Sequence, residues 1–287
     1  MKAGIELGGT KTVVGIAGED NGVRKQHRFP TGAPEETVAE AVAWLREQGE
    51  VCELGVAAFG PISVNRQRED YGKLLATPKQ GWGGFDLVGA LEEAFPAARI
   101  VLDTDVNAAA LAEVHLGVAR GHENVGYITI GTGIGAGFVV EGRVLHGALH
   151  SEFGHLKVPR HADDDFEGVC PYHGDCLEGM ASGTSLIQRY GRGGHEIAAD
   201  EPAWDIEAWY LAHGILSMLA ILSPSLVVLG GGVSQAEGFH AKVEACLREV
   251  AGGYFTVLDG SHRYVVAPGL GQNAGIQGAF LLLDQEL

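Results

Sequence analysis

His150-Ser151-Glu152-Phe153-Gly154-His155 opens the stretch that decides the fold, and Cys170-Pro171-Tyr172-His173-Gly174-Asp175-Cys176-Leu177-Glu178 closes it. Two imidazoles and two thiols fall at the spacing His-x14-Cys-x2-His-x2-Cys. Thiolate and imidazole together suit zinc, and two-residue gaps let a tight turn aim neighbouring ligands at one ion. His155, Cys170, His173 and Cys176 would close a tetrahedron and leave no open position for water. That is the pattern of a structural site rather than a hydrolytic one. Glu152 and Glu178 flank the ligands, so an ion here would hold two acidic side chains in place. The competing reading is two surface histidines and two unpaired thiols in a loop.

Upstream, two strand–glycine–strand units frame this stretch. Gly4-Ile5-Glu6-Leu7 reads as a strand, Gly8-Gly9-Thr10-Lys11 as a turn, and Thr12 to Ala17 as the returning strand. Val125 to Ile130 repeats the pattern, with Gly131-Thr132-Gly133-Ile134-Gly135-Ala136-Gly137 before the strand Phe138-Val139-Val140. A glycine hairpin brings backbone amides close to a phosphate, and Thr10 and Lys11 add a hydroxyl and a cation. One such hairpin is ordinarily just a turn. Two of them, with a third glycine run at Gly230-Gly231-Gly232 after the strand Leu226 to Leu229, suggest two related lobes offering amides to one nucleotide.

Between the hairpins, Arg99 to Asp103 reads as a strand and Ala108 to Gly117 as a helix, joined by Thr104-Asp105-Val106-Asn107. Asp105 then falls at a strand's carboxyl end and a helix's start, where α/β folds place active sites. A helix N-cap explains the same placement, and Asp103 is an alternative functional carboxylate. Glu35 to Glu47 has the period of an amphipathic helix. Leu54 to Phe59 reads as a buried strand ending at Gly60-Pro61. Thr77-Pro78-Lys79 and Gly81-Trp82 form a loop before the helix of Leu87 to Phe95. Trp82 is either a ligand contact or a lid over the core.

Of 287 residues, 46% are hydrophobic, enough for one large core or two ordinary domains. A formal net charge of -17 disfavours nucleic acid and anionic membranes as partners. Cysteine usage fits a reducing compartment, with Cys52 and Cys246 expected as buried thiols. The N-terminus lacks a signal-peptide apolar run. Ala208 to Ala236 lacks Asp, Glu, Lys and Arg, but Ser223-Pro224-Ser225 and the glycine run break it into a helix and a buried strand. A soluble cytoplasmic protein is the expectation.

These residues together resemble the ROK family of sugar kinases, within the actin-like ATPase superfamily. The resemblance rests on Gly8-Gly9-Thr10-Lys11, Thr104-Asp105-Val106-Asn107-Ala108-Ala109-Ala110, Gly131-Thr132-Gly133-Ile134-Gly135 and the His155/Cys170/His173/Cys176 set. Phe59-Gly60-Pro61, Thr77-Pro78-Lys79 with Gly81-Trp82, and the Cys170 to Gly179 run are similar to the fructokinase branch. The resemblance implies an α/β fold of two actin-like (ribonuclease H-like) lobes, residues 1–117 and 118–287, with mixed sheets flanked by helices and a cleft between. The zinc-bound loop would lie in the second lobe, and the last helix can pack back on the first. ATP with Mg2+ and a hexose would be the partners, usually bound by a homodimer.

The same resemblance gives Asp105 the role of general base. Gly8, Gly9, Thr10, Lys11, Thr132, Gly133 and Gly135 would bind ATP at its phosphates, with Gly231, Gly232 and Gln235 toward the adenosine. Gly60, Asn107, Glu152, His155 and Glu178 would hold the sugar, with His155 also a zinc ligand. Many family members carry Asp at the position of Glu6, which would orient hydrated Mg2+; the fructokinase branch uses Glu there. The expected reaction is phosphorylation of fructose to fructose 6-phosphate. Glucose, mannose or N-acylhexosamines are the alternatives within the family. A sugar-responsive regulator is the rival outside enzymes. A phosphate hairpin starting at residue 4 and the acidic charge speak against its DNA-binding helix-turn-helix.

Overall fold

The computed structural model describes residues 1–77 and 79–285; Pro78 of the expected Thr77-Pro78-Lys79 loop lies outside them. The chain forms two compact units. The first holds Met1–Gly117, Arg143–His150 and the segment from Leu270 on, and the second holds Val118–Gly142 and Ser151–Gly269. The units are therefore discontinuous, unlike a division into 1–117 and 118–287. The reason is packing: the C-terminal helix buries its apolar side chains in the first unit's core and Val144 joins the same cluster, while Leu145 and Leu149 stay exposed.

In the first unit, β1 (Lys2–Leu7), β2 (Lys11–Ala17) and β3 (Val23–Pro30) form an antiparallel meander. Then come α1 (Pro34–Gln48), β4 (Glu53–Ala58), α2 (Leu87–Ala94), β5 (Arg99–Thr104) and α3 (Asp105–His115). The sheet order is β3-β2-β1-β4-β5, with β1, β4 and β5 parallel. These three strands are buried on both faces, as crossover connections require. Edge strand β3 instead exposes Arg24, Lys25 and Gln26, charged and polar side chains that discourage edge pairing. On one face, Leu54 and Val56 of β4 share a core with Leu45 of α1 and Leu87 and Leu91 of α2. Trp82 belongs to that core: it is fully buried, donates Nε1–H to Gly32 O at 3.0 Å and meets Phe59 edge-on. It is a core lid and not a ligand contact. The final helix, here α8 (Ala274–Leu282), is apolar nearly all round and packs on α3, β1 and β4.

In the second unit, β6 (Val125–Ile130) and β7 (Ile134–Val140) are antiparallel around Gly131-Thr132-Gly133. A two-residue strand, β8 (Arg143–Val144), begins the segment that returns to the first unit. The second unit continues with α4 (Leu177–Ala181), α5 (Gly183–Tyr190), α6 (Ala203–Leu222), β9 (Leu226–Gly230), α7 (Phe239–Val250) and β10 (Val265–Val266). The strands run β10-β9-β6-β7, and β6, β9 and β10 are parallel. Each unit thus contains an antiparallel glycine hairpin whose first strand pairs in parallel with a later one. The expected α/β class, mixed sheets flanked by helices, is what the chain adopts. Among the described residues only α6 is long and apolar enough to cross a membrane, and half of that stretch is buried inside the second unit. Two expectations fail for thiols: Cys52 is exposed and Cys246 is half-buried. Cys52 Sγ accepts from the N-terminal amine at 3.1 Å, which holds it at the surface.

Candidate functional site

The three parallel strands of the first unit end in line. Leu7 is opposite Ala58, and Ala58 is opposite Thr104. The turn Gly8–Lys11, Gly60 and Asp105 therefore leave one carboxyl edge of one sheet, the position where open α/β sheets bind ligands. The turn is closed by Gly8 N donating to Lys11 O at 3.0 Å, and Gly9 and Thr10 are exposed. Lys11 Nζ donates to Gln272 Oε1 at 3.0 Å. Lys79 Nζ reaches the carbonyls of Gly9 and, at 3.2 Å, Thr31. That places a second cation on the hairpin, which local sequence does not reveal because Lys79 lies some seventy residues away.

Helix α3 begins at Asp105, not at Ala108, because Thr104 is its N-cap: Thr104 Oγ1 accepts from Asn107 N at 3.2 Å. The two candidate carboxylates are now distinct. Asp103 has no exposed surface and accepts from Thr104 N, Asn107 Nδ2 and His146 Nε2, each at 2.7 Å. Asp105 accepts from the amide of Val106 at 2.9 Å, and among the described residues no side chain bonds it. Protein surrounds Asp105 closely although its rim still touches solvent. That burial, with the charge of Glu6 beside it, pushes its carboxyl up to about 7.

Glu6, on β1, is desolvated in the same way. Burial raises its pKa, and Lys11 and Arg28 only partly oppose this. Its Oε2 is buried without a hydrogen-bond partner among the described residues. A Cβ at position 275 would lie 2.4 Å from Glu6 Cδ, so Gly275 is what admits this carboxylate. An orphaned carboxylate oxygen near a second carboxylate and a phosphate-type hairpin suits a hydrated Mg2+. Glu6 and Asp105 are the residues that would face it.

In the second unit, the Gly131–Gly133 turn is clamped from α5. Gly183 N donates to Gly131 O at 2.8 Å and Thr184 Oγ1 to Thr132 O at 2.7 Å. Glu178, in the first turn of α4, accepts from Ile134 N at 2.9 Å. One of its oxygens is thus committed to the glycine hairpin. Gly231 follows β9 with φ +91, and a Cβ there would lie 2.3 Å from Ile130 O. Only glycine fits that approach. Gly232 and Gln235 are exposed just beyond it.

The metal-type stretch is assembled in the same unit. Reciprocal backbone bonds between Cys170 and Gly174, 3.2 and 2.9 Å, fold the chain into a knuckle that brings the exposed His173 beside Cys170. His155, Cys170, His173 and Cys176 each present a ligand atom within 4.8 Å of one another. The Sγ–Nδ1 separations are 3.7 Å for Cys170–His155, 3.7 Å for Cys170–His173 and 3.6 Å for Cys176–His155. A tetrahedron with zinc–sulfur about 2.3 Å and zinc–nitrogen about 2.0–2.1 Å has sulfur–nitrogen edges of about 3.5–3.6 Å. The donor set fits a closed zinc site. His155 turns its other nitrogen toward Glu152 Oε2, at 4.0 Å.

Comparison with known proteins agrees with this arrangement. The model of the ROK family matches residues 2–286. A fructokinase from Zymomonas mobilis is 41% identical over 97% of this chain and 94% of its own. The solved ROK hexokinase from Thermus thermophilus superposes with a TM-score of 0.79 at 30% identity, covering 98% of this chain and 97% of that one. A ROK family glucokinase from Streptomyces griseus, solved with glucose and AMPPNP, gives 0.78 at 25% identity and 99% coverage of both chains. Phosphate-type hairpins, an acid at the carboxyl edge of a mixed sheet and a closed Cys/His knuckle define a class, and the chain belongs to the ROK family.

Proposed function

We propose that this chain transfers the γ-phosphoryl group of ATP to a hexose, with fructose the preferred acceptor and fructose 6-phosphate the product. Relatives named fructokinase, 34 to 41% identical, support the sugar. The observation that carries the chemistry is Asp105: a carboxylate at the sheet's carboxyl edge, unclaimed by the network that consumes Asp103. Phosphoryl transfer is mostly positioning and charge neutralisation. The sugar oxygen attacks the γ-phosphorus, the bond to the bridging oxygen of ADP breaks, and Asp105 takes the hydroxyl proton. A base of this kind works best with a pKa near the working pH, and burial brings Asp105 there.

In this reading Gly8, Gly9, Thr10, Lys11, Thr132, Gly133 and Gly135 bind phosphates, and Gly231, Gly232 and Gln235 bind the adenosine. Gly60, Asn107, Glu152, His155 and Glu178 serve the sugar. Mg2+ bound near Glu6 supplies charge neutralisation on the phosphates. Zinc at His155, Cys170, His173 and Cys176 braces the loop that carries Glu152 and the start of α4 that carries Glu178, lowering the ordering entropy of sugar binding. A reducing cytoplasm suits the thiols. A homodimer is what the family resemblance implies, and light scattering of the purified chain tests it. The deciding experiment is ADP release from ATP with fructose, mannose, glucose and N-acetylmannosamine. Fructose should give the highest kcat/KM. No turnover with any of them would end the kinase assignment.

A further inference from the structure

The network around Asp103 ends at a side chain that no role so far uses. His146 Nε2 donates to Asp103 Oδ2 at 2.7 Å, while Asn107 Nδ2 and Thr104 N occupy Oδ1. Asn107 is 2% exposed and one of its amide hydrogens is spent on Asp103. His146, by contrast, keeps 31% of its side chain exposed. Its Nδ1 has no partner among the described residues. The network is therefore more open at His146 than at Asn107.

The segment carrying His146 crosses the carboxyl edge of the first unit's sheet. His146 holds it to Asp103, near the end of β5. His150 Nε2 accepts from Ile62 N at 3.2 Å, just past the end of β4. A Cβ at Gly60 would lie 3.3 Å from the His150 ring, so the segment lies directly on Gly60. Val144 anchors its start in the cluster formed with Ala108 and Leu111 of α3. Both ends are fixed, and His146 is bonded to Asp103, two residues before Asp105, on the same carboxylate that Asn107 in the first turn of α3 bonds.

We propose that His146 contacts the acceptor sugar: its Nδ1 hydrogen-bonds a hydroxyl other than the one that is phosphorylated, and so contributes to sugar selection. The proposal rests on the kinase assignment above. The bond to Asp103 fixes which ring nitrogen faces outward, as a buried carboxylate does for a histidine it orients. A preset donor or acceptor on a rigid rim costs little to order when the sugar binds.

Two substitutions separate this contact from the anchoring bond. His146→Gln keeps an amide donor that can reach Asp103 and removes the Nδ1 contact; His146→Ala removes both. Steady-state constants would be measured for fructose, for analogues each lacking one hydroxyl, and for ATP, together with thermal melts. The expected result is a rise of about tenfold in the fructose KM for both variants, with the ATP KM unchanged and the Gln variant melting with the wild type. One deoxy analogue that costs the wild type a similar factor should cost the Gln variant nothing further. Wild-type constants in the Gln variant would overturn the proposal and leave His146 an anchor. So would deoxy penalties that add in full to the variant's own. A wild type that turns over no hexose removes the kinase assignment, and this proposal with it.

Discussion

Asn107 Nδ2 donates to Asp103 Oδ1 at 2.7 Å, and Asp105, two residues from Asp103, carries no such tie to a side chain among the described residues. The bond separates a structural acid from a reactive one. Asp105→Asn should lower kcat by roughly two to four orders of magnitude while sparing ATP affinity. Asp103→Asn should instead cost stability, about 1–3 kcal/mol, because it places an amide donor among three donors in a buried site. Kinetics and melts on the two variants check this. Near-normal turnover in Asp105→Asn would remove Asp105 from the role.

Burial and the neighbouring Glu6 charge hold the Asp105 carboxyl at about 7, well above an ordinary aspartate. A base must be deprotonated to act, so its raised pKa moves the active form to higher pH. The kcat/KM for sugar should rise with pH up to about 7 and level above it. Glu6→Gln removes the second cause and should move that limb toward lower pH. A wild-type acid limb already complete at pH 5 would show that the folded protein does not perturb Asp105.

Much of this site is legible in the linear order of residues, and the rest is not, for a physical reason. The metal knuckle is local, since three of its ligands fall within Cys170–Cys176, and spacing alone brings them together. The glycine hairpins are local too. The choice between Asp103 and Asp105 is not local. It is completed by His146, whose bond to Asp103 joins residues 43 apart. Lys79 over Gly9 is likewise a product of tertiary folding. Strand β3 hides behind Arg24-Lys25-Gln26, an edge that breaks apolar alternation. Helix α7, in contrast, did carry a signal: Phe239, Val243 and Leu247 recur every four residues and are its buried face.

The near-tetrahedral edges at His155, Cys170, His173 and Cys176 imply stoichiometric zinc in the purified protein. Structural zinc contributes directly to folding. Chelation, or Cys176→Ser, should lower Tm and raise the sugar KM together, because Leu177 and Glu178 directly follow the last ligand. Elemental analysis that finds no zinc in the native chain would refute the assignment.

Inside the second unit a different acid sets the pH dependence of stability. Glu207 on α6 is fully buried, and neither oxygen has a hydrogen-bond partner among the described residues. Arg189 lies near enough to lower its pKa, yet its Nη2 is spent on Asp164 at 3.0 Å and on Met180 O at 2.8 Å. Burial outweighs that attraction and pushes Glu207 up to about 8. The unfolded chain releases this proton near 4.5, whereas the folded chain keeps it until about 8. Between those values the folded state binds more protons, so stability falls as pH rises, and the loss is complete above about 8. The loss amounts to a few kcal/mol. Glu207→Gln keeps the shape and cannot ionise. Its melting temperature should exceed that of the wild type by a margin that grows from pH 5 to pH 8, at about 2–4 °C per kcal/mol. A margin that stays constant across that range would mean Glu207 is charged in the folded protein and paired with Arg189 after all.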